Sequence, residues 1–137
     1  MVYIFLLLTV LFWGTTPVVE KVGLNKTTPF IGLTIRSTVV AIILWIITLI
    51  TGKLNIILRQ DTKTVILFSL SGILASLLGM LTYYSALKLD LSSRIVPLAA
   101  TYPLVTSLWA YLFLGESLTP QRIIGTILIV AGILLVK

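Results

Sequence analysis

TVILFSLSGILASLLGMLTYYSAL, residues 64–87, runs for 24 positions without a charged side chain. A helix needs roughly 20 mostly apolar residues, within a range of about 17–25, to cross the hydrocarbon of a bilayer. This one stretch therefore sets the class of the protein, and the sequence on either side repeats the pattern. Further charge-free runs occupy 1–19, 37–52, 95–115 and 123–136. The run at 37–52 reaches spanning length if its helix starts at Pro29, which places Arg36 inside the helix. The last run must begin near Pro120, a favourable first-turn position because proline's missing N–H has no partner there in any case. Its terminal Lys137 is expected to extend along its stem and place the ammonium at the interface. The spacing thus predicts helices over about 2–19, 29–52, 64–87, 95–115 and 120–136, in an all-α integral membrane protein with a bundle of five transmembrane helices.

Composition agrees with that reading. Of 137 residues, 58% are hydrophobic and 10% charged, and the mean hydropathy is +1.16. A soluble domain carries about 25% charged residues, so too few are present to coat a water-facing globule. Histidine and cysteine are both absent, which removes most metal sites, disulfides, thiol nucleophiles and histidine bases. The carboxylates are Glu20, Asp61, Asp90 and Glu116, all expected outside the spans. No enzyme, cofactor or metal site is expected. The formal charge is +6, but the basic residues are scattered singly, without the clusters of a nucleic-acid surface. The first run lacks a basic leader and contains Trp13, Gly14 and Pro17, so it is read as a span rather than a signal peptide.

Short loops at 20–28, 53–63, 88–94 and 116–119 put successive helices side by side and antiparallel. Their charges leave the orientation open. One face holds Lys53, Arg59, Lys63 and Arg122, and the other Lys21, Lys26, Lys88, Arg94 and Lys137, four against five. Cytoplasmic loops normally carry a clear excess of Lys and Arg. So even a count points to insertion in both directions and an antiparallel homodimer; a fixed orientation set by the second loop is the alternative.

Particular stretches resemble a known family. FWGTTPVVEKVGL (Phe12–Leu24) is similar to its W-G followed by a lysine near the end of helix 1, and Arg36 stands where an arginine is common. YYSAL, SSRIVPLAATYPL and AYLFLGESLTPQRIIGTILIVAGILL, between Tyr83 and Val136, carry the most specific likeness, including LGE-x-LT ahead of a G-x6-G helix (Gly125, Gly132). Over nearly its whole length the chain resembles a single EamA domain of the drug/metabolite transporter superfamily. Most members resemble two such halves fused in opposite orientations; no second copy of the pattern occurs here. In inverted-repeat transporters the substrate site lies at the repeat interface near the midplane, so half a cavity implies a partner.

The resemblance implies a transporter, an exporter or facilitator, of small metabolites, amino-acid-like or other small solutes, by alternating access in the inner or plasma membrane of a prokaryote. Alternatives are a flippase for a lipid-linked head group and a non-transporting accessory subunit of a membrane complex. Small multidrug-resistance relatives carry a glutamate in the middle of helix 1. Residues 1–19 contain no acid, which disfavours proton-driven antiport of drug cations and favours a neutral, zwitterionic or anionic solute.

Candidate substrate-binding residues follow. Trp13 and Thr16 stand beside a flexible Gly14/Pro17 pair, although Thr15 and Thr16 can instead satisfy their own helix backbone. Arg36, roughly 10 Å deep at the helical rise, would hold an anionic group, pair with Glu20 or extend to the interface; an intramembrane charge marks a functional site by default. Tyr83 and Tyr84 need partners when buried, or belong to an aromatic belt. Gly72, Ser76, Gly79 and Tyr83, spaced 4, 3 and 4 apart, form one helix face of small and hydroxylic groups, read as close packing with a pore lining as the alternative. Pro97 and Pro103 interrupt the fourth span beside Thr101 and Tyr102, which would line the path unless the prolines only kink the helix. Gly125 and Gly132 lie on one face of the last helix, suited to close packing. The resemblance assigns that face to contact between halves, and packing within one protomer is the alternative.

Overall fold

The structure, a computed structural model, describes residues 1–117 and 119–135. It divides into two compact units, Met1–Leu89 and Asp90–Lys137, described here in turn. Among the described residues there are helices and no strands.

In the first unit, α1 (Val2–Leu24) continues past the expected end at 19. Glu20 and Lys21 are flanked by Val18, Val19, Val22 and Leu24, and nothing breaks the helix before Asn25. This corrects the expectation that every carboxylate lies outside a span, because Glu20 sits within α1. Pro17 lies inside the same helix and is buried. α2 (Pro29–Ile50) starts with a Thr28 cap whose hydroxyl accepts the Ile31 N–H at 3.3 Å, with proline in the first turn. It stops before the expected residue 52, where Gly52 turns left-handed at φ +66°, a conformation glycine adopts without steric cost. The loop expected at 53–63 contains a short helix, α3 (Leu54–Leu58).

α4 (Thr62–Ser71) starts at Asp61, whose carboxylate accepts from both the Thr64 N–H (3.0 Å) and the Thr64 hydroxyl (2.6 Å). From Gly72 to Gly79 the winding widens to π turns, and α5 (Met80–Leu89) resumes the α form. Together these make a span of 28 residues, Thr62–Leu89. The wide turns alter the stripe expected for Gly72, Ser76, Gly79 and Tyr83. Spacings of 4 and 3 stack on one face only at 3.6 residues per turn, and i→i+5 winding breaks that phase. A Cβ on Gly79 would come within 3.1 Å of the Leu74 carbonyl oxygen, five residues back.

The second unit begins with α6 (Ser92–Ala99) and α7 (Tyr102–Leu114). The break at Ala100–Thr101 falls between Pro97 and Pro103, as proline chemistry requires: neither can donate to the carbonyl four residues earlier, Ser93 or Ala99. Gly115 ends α7 at φ +64°, and the Glu116 N–H donates back to the Ala110 carbonyl at 3.2 Å. α8 (Pro120–Leu134) then starts with a Thr119 cap and proline in its first turn. The LGE-x-LT stretch is thus a stop followed by a start, with Leu118 outside the described residues. The expected helix end at Val136 and the interfacial placement of Lys137 also lie outside them.

Among the described residues four helices are long and apolar enough to cross a membrane: Val2–Leu24, Pro29–Ile50, Thr62–Leu89 and the proline-broken Ser92–Leu114; a shorter apolar helix follows. Their apolar side chains point outward, Ile50 with 80% and Phe68 with 76% of its surface exposed. A surface like this suits hydrocarbon rather than water. The protein is an all-α membrane protein of about five apolar helices.

Candidate functional site

In the first unit, side chains close together where the turn at 25–28 joins α1 to α2. Leu24, Leu33, Tyr84 and Leu87 are all buried there, one or two from each of α1, α2 and α5. Gly32 allows the approach: a Cβ at this position would lie 3.5 Å from Leu24 Cδ2 and 3.7 Å from Tyr84 Cε2. Two lysines tie the same end. Lys21 Nζ donates to the Leu87 carbonyl at 2.5 Å and the Lys88 carbonyl at 3.3 Å, placing a cation on the closing carbonyls of α5, where the helix dipole favours it. Lys88 Nζ donates to the Thr27 carbonyl at 2.6 Å. With the end of α5 held in this way, Tyr84, one turn before Lys88, is directed at α1 and α2.

Tyr84 donates its hydroxyl hydrogen to Glu20 Oε1 at 2.7 Å. Arg36 Nε approaches the same oxygen at 3.9 Å. One carboxylate from α1 thus joins a phenol from α5 and a guanidinium from α2. The three are unequally exposed: the Glu20 side chain keeps 9% of its surface and Arg36 keeps 43%. An unpaired charge at this depth is costly, and each charge here reduces the cost of the other.

These groups form the polar end of a groove of about 720 Å³. Leu11, Phe12 and Val19 supply apolar wall, and Thr15 and Thr16 stand among them. Both threonine hydroxyls donate to their own helix, Thr15 to the Leu11 carbonyl (2.8 Å) and Thr16 to the Phe12 carbonyl (2.7 Å). Their hydrogens are thereby used, and only their oxygen lone pairs remain to face a ligand.

Of the residues singled out from sequence, the structure brings Thr16, Arg36 and Tyr84 to this groove. Trp13 precedes Thr15 and Thr16 on α1 but does not line it, and is 67% exposed. Tyr83 is half-buried beside Tyr84, with ring centroids 6.4 Å apart and planes at 48°. In the second unit, Thr101 caps the break and its hydroxyl donates to the Leu98 carbonyl at 2.9 Å, while Tyr102 opens α7 and is exposed. Gly125 and Gly132 lie on α8, and a Cβ on either would meet nothing within 4 Å among the described residues. Glu20 is the groove residue that sequence reasoning missed as an intramembrane group. The apolar residues on both sides of the Glu20–Lys21 pair were the available signal that the helix continues.

The EamA-like transporter family matches residues 1–137. The uncharacterized protein MJ1333.1 of Methanocaldococcus jannaschii is 34% identical over 131 residues, covering 96% of this chain and 92% of its own length. An uncharacterized transporter in the cobO 3'region of Sinorhizobium sp is 32% identical over 129 residues, covering 94% and 91%. No solved structure gives a significant match. By the extent of the family match and the identity of these relatives, the chain belongs to the EamA-like transporter family.

Proposed function

We propose that the protein carries small metabolites across the membrane of a prokaryotic cell as an antiparallel homodimer, by alternating access around the groove of the first unit. The observation that carries this reading is the groove itself. It combines a polar end of Glu20, Arg36 and Tyr84 with apolar walls from α1, the mixture typical of small-molecule sites. The name of the Sinorhizobium relative also speaks for transport. Both relatives are matched over more than nine-tenths of their own lengths, so they too are about as long as one such half. A partner in the inverted sense would complete a midplane cavity. The near-even Lys/Arg count and the uncovered Gly125/Gly132 face fit such a partner.

The test is flux from vesicles containing the full chain, loaded in parallel with small solutes, amino acids and short organic acids among them, and with a labelled lipid. Saturable, protein-dependent solute efflux without lipid translocation is expected. Lipid translocation without solute efflux would replace this reading with a flippase. Failure of both, restored by a second membrane protein, would make the chain an accessory subunit.

A further inference from the structure

We propose that the groove takes an organic monocarboxylate: the carboxylate rests on the Arg36 guanidinium and the apolar body lies along Leu11, Phe12 and Val19. This rests on the groove being the transport site and names the chemistry of what enters it. Three observations lead to it.

Arg36 is the exposed charge of the site, with 43% of its side chain open against 9% for Glu20. A guanidinium carries five N–H donors in a fixed fork, more than the Glu20 oxygen at 3.9 Å and the neighbouring Tyr84 hydroxyl engage. Its free edge matches a carboxylate in two parallel hydrogen bonds. Glu20, by contrast, is largely enclosed and already accepts from Tyr84, so it is less accessible to a ligand ammonium than Arg36 is to a carboxylate. The threonine hydroxyl oxygens beside it could accept from an ammonium, but they are neutral acceptors and give it no charge-assisted partner as Arg36 gives a carboxylate. A zwitterion therefore gains less than a simple anion. The walls then select for hydrocarbon, because Leu11, Phe12 and Val19 all present exposed apolar surface to the groove. Glu20 has a second consequence: it already balances Arg36, so the ligand is not needed for neutralisation and can leave again.

The experiment measures binding of hexanoate to the full chain in phosphatidylcholine vesicles, corrected against protein-free vesicles. Hexanamide, hexylamine and 2-aminohexanoate are measured as same-length neutral, cationic and zwitterionic counterparts. Hexanoate is expected to bind at least tenfold tighter than each, and affinity to rise about fourfold per methylene from butanoate to hexanoate. Arg36→Gln should lose hexanoate binding, and Arg36→Lys should keep part of it, since a point charge lacks the fork. The analogue series uses the unaltered chain, so it decides the matter even if a variant fails to fold. Equal or tighter binding of hexylamine or 2-aminohexanoate would overturn the proposal. So would displacement of hexanoate by phosphatidylglycerol in the vesicle, which would make the ligand a lipid head group. Amino-acid efflux in the absence of hexanoate binding would overturn the monocarboxylate and leave the transport reading standing.

Discussion

Glu20 has two neighbours of different kinds, and removing either should read differently. Tyr84→Phe deletes a hydrogen bond to a carboxylate, an interaction worth about 1.5–3 kcal/mol, while leaving the ring packed against Gly32. Detergent-solubilised Tyr84→Phe should unfold at lower denaturant than the parent chain, and the loss should shrink when Glu20 is already Gln. Additive losses would mean that the two side chains do not interact. Arg36→Ala removes the exposed charge of the groove and leaves Glu20 with Tyr84 alone. Folded protein should still reach the membrane and flux should fall at least tenfold; unchanged flux would take Arg36 out of the site. Asp61 sits outside the spans, and its hydrogen bonds from the Thr64 hydroxyl and amide hold its pKa below the ordinary 3.8. A lowered carboxylate pKa in the folded state stabilises above the unfolded value. The Asp61 cap is therefore intact near neutrality and is lost only as pH drops from 3.8 through the lowered folded value. The protection factor of the Thr64 amide, its exchange corrected for the intrinsic pH dependence, should fall as pH drops across that window and stay level above it. Arg36 was legible as an intramembrane charge because a charge must be explained in hydrocarbon. Glu20 was not, because a charge map treats the first acid as the edge of a span while the backbone continues through it.

Helix boundaries were readable wherever the sequence supplies caps. Pro29 and Pro120, read as helix starts, open α2 and α8, whereas Asp61 and Gly115 carry the same kind of signal but the charge map placed those bounds at 64 and 115 instead. The π winding over Gly72–Gly79 had no such signal, since an apolar run looks the same at 3.6 residues per turn as at a wider pitch. Gly32→Ala should be tolerated, because its Cβ would meet its neighbours at ordinary contact distances. Gly32→Leu should push Tyr84 off α2 and lower the melting temperature in detergent. The fourth span offers a cleaner test of proline's effect. Pro103→Ala restores an N–H to face the Ala99 carbonyl. Hydrogen exchange should slow across 99–103 as the helix becomes continuous, and flux should fall several-fold if that break serves transport. Slower exchange with unchanged flux would make the break a kink only.

Across the chain, the spans were legible because lipid imposes a length and forbids charge. The mode of assembly is left open by the same residues. The Lys/Arg count fails to choose a side, and α8, at 15 residues, is about 22 Å long at the helical rise, short of the roughly 30 Å of hydrocarbon. Small residues on α8 are uncovered among the described residues, which fits close approach of a partner helix. These features fit the proposed pairing with an inverted copy. The parent chain has no cysteine, so Gln60→Cys in the second loop and Leu91→Cys in the third introduce single labelling sites without background. The deciding measurement exposes each variant in intact cells to a membrane-impermeant maleimide from outside, then labels the remainder after permeabilisation. If the protein inserts both ways, each cysteine is labelled partly from outside and partly only after permeabilisation, in comparable amounts. If Gln60→Cys is labelled wholly from one side and Leu91→Cys wholly from the other, every copy faces the same way and the antiparallel homodimer is wrong.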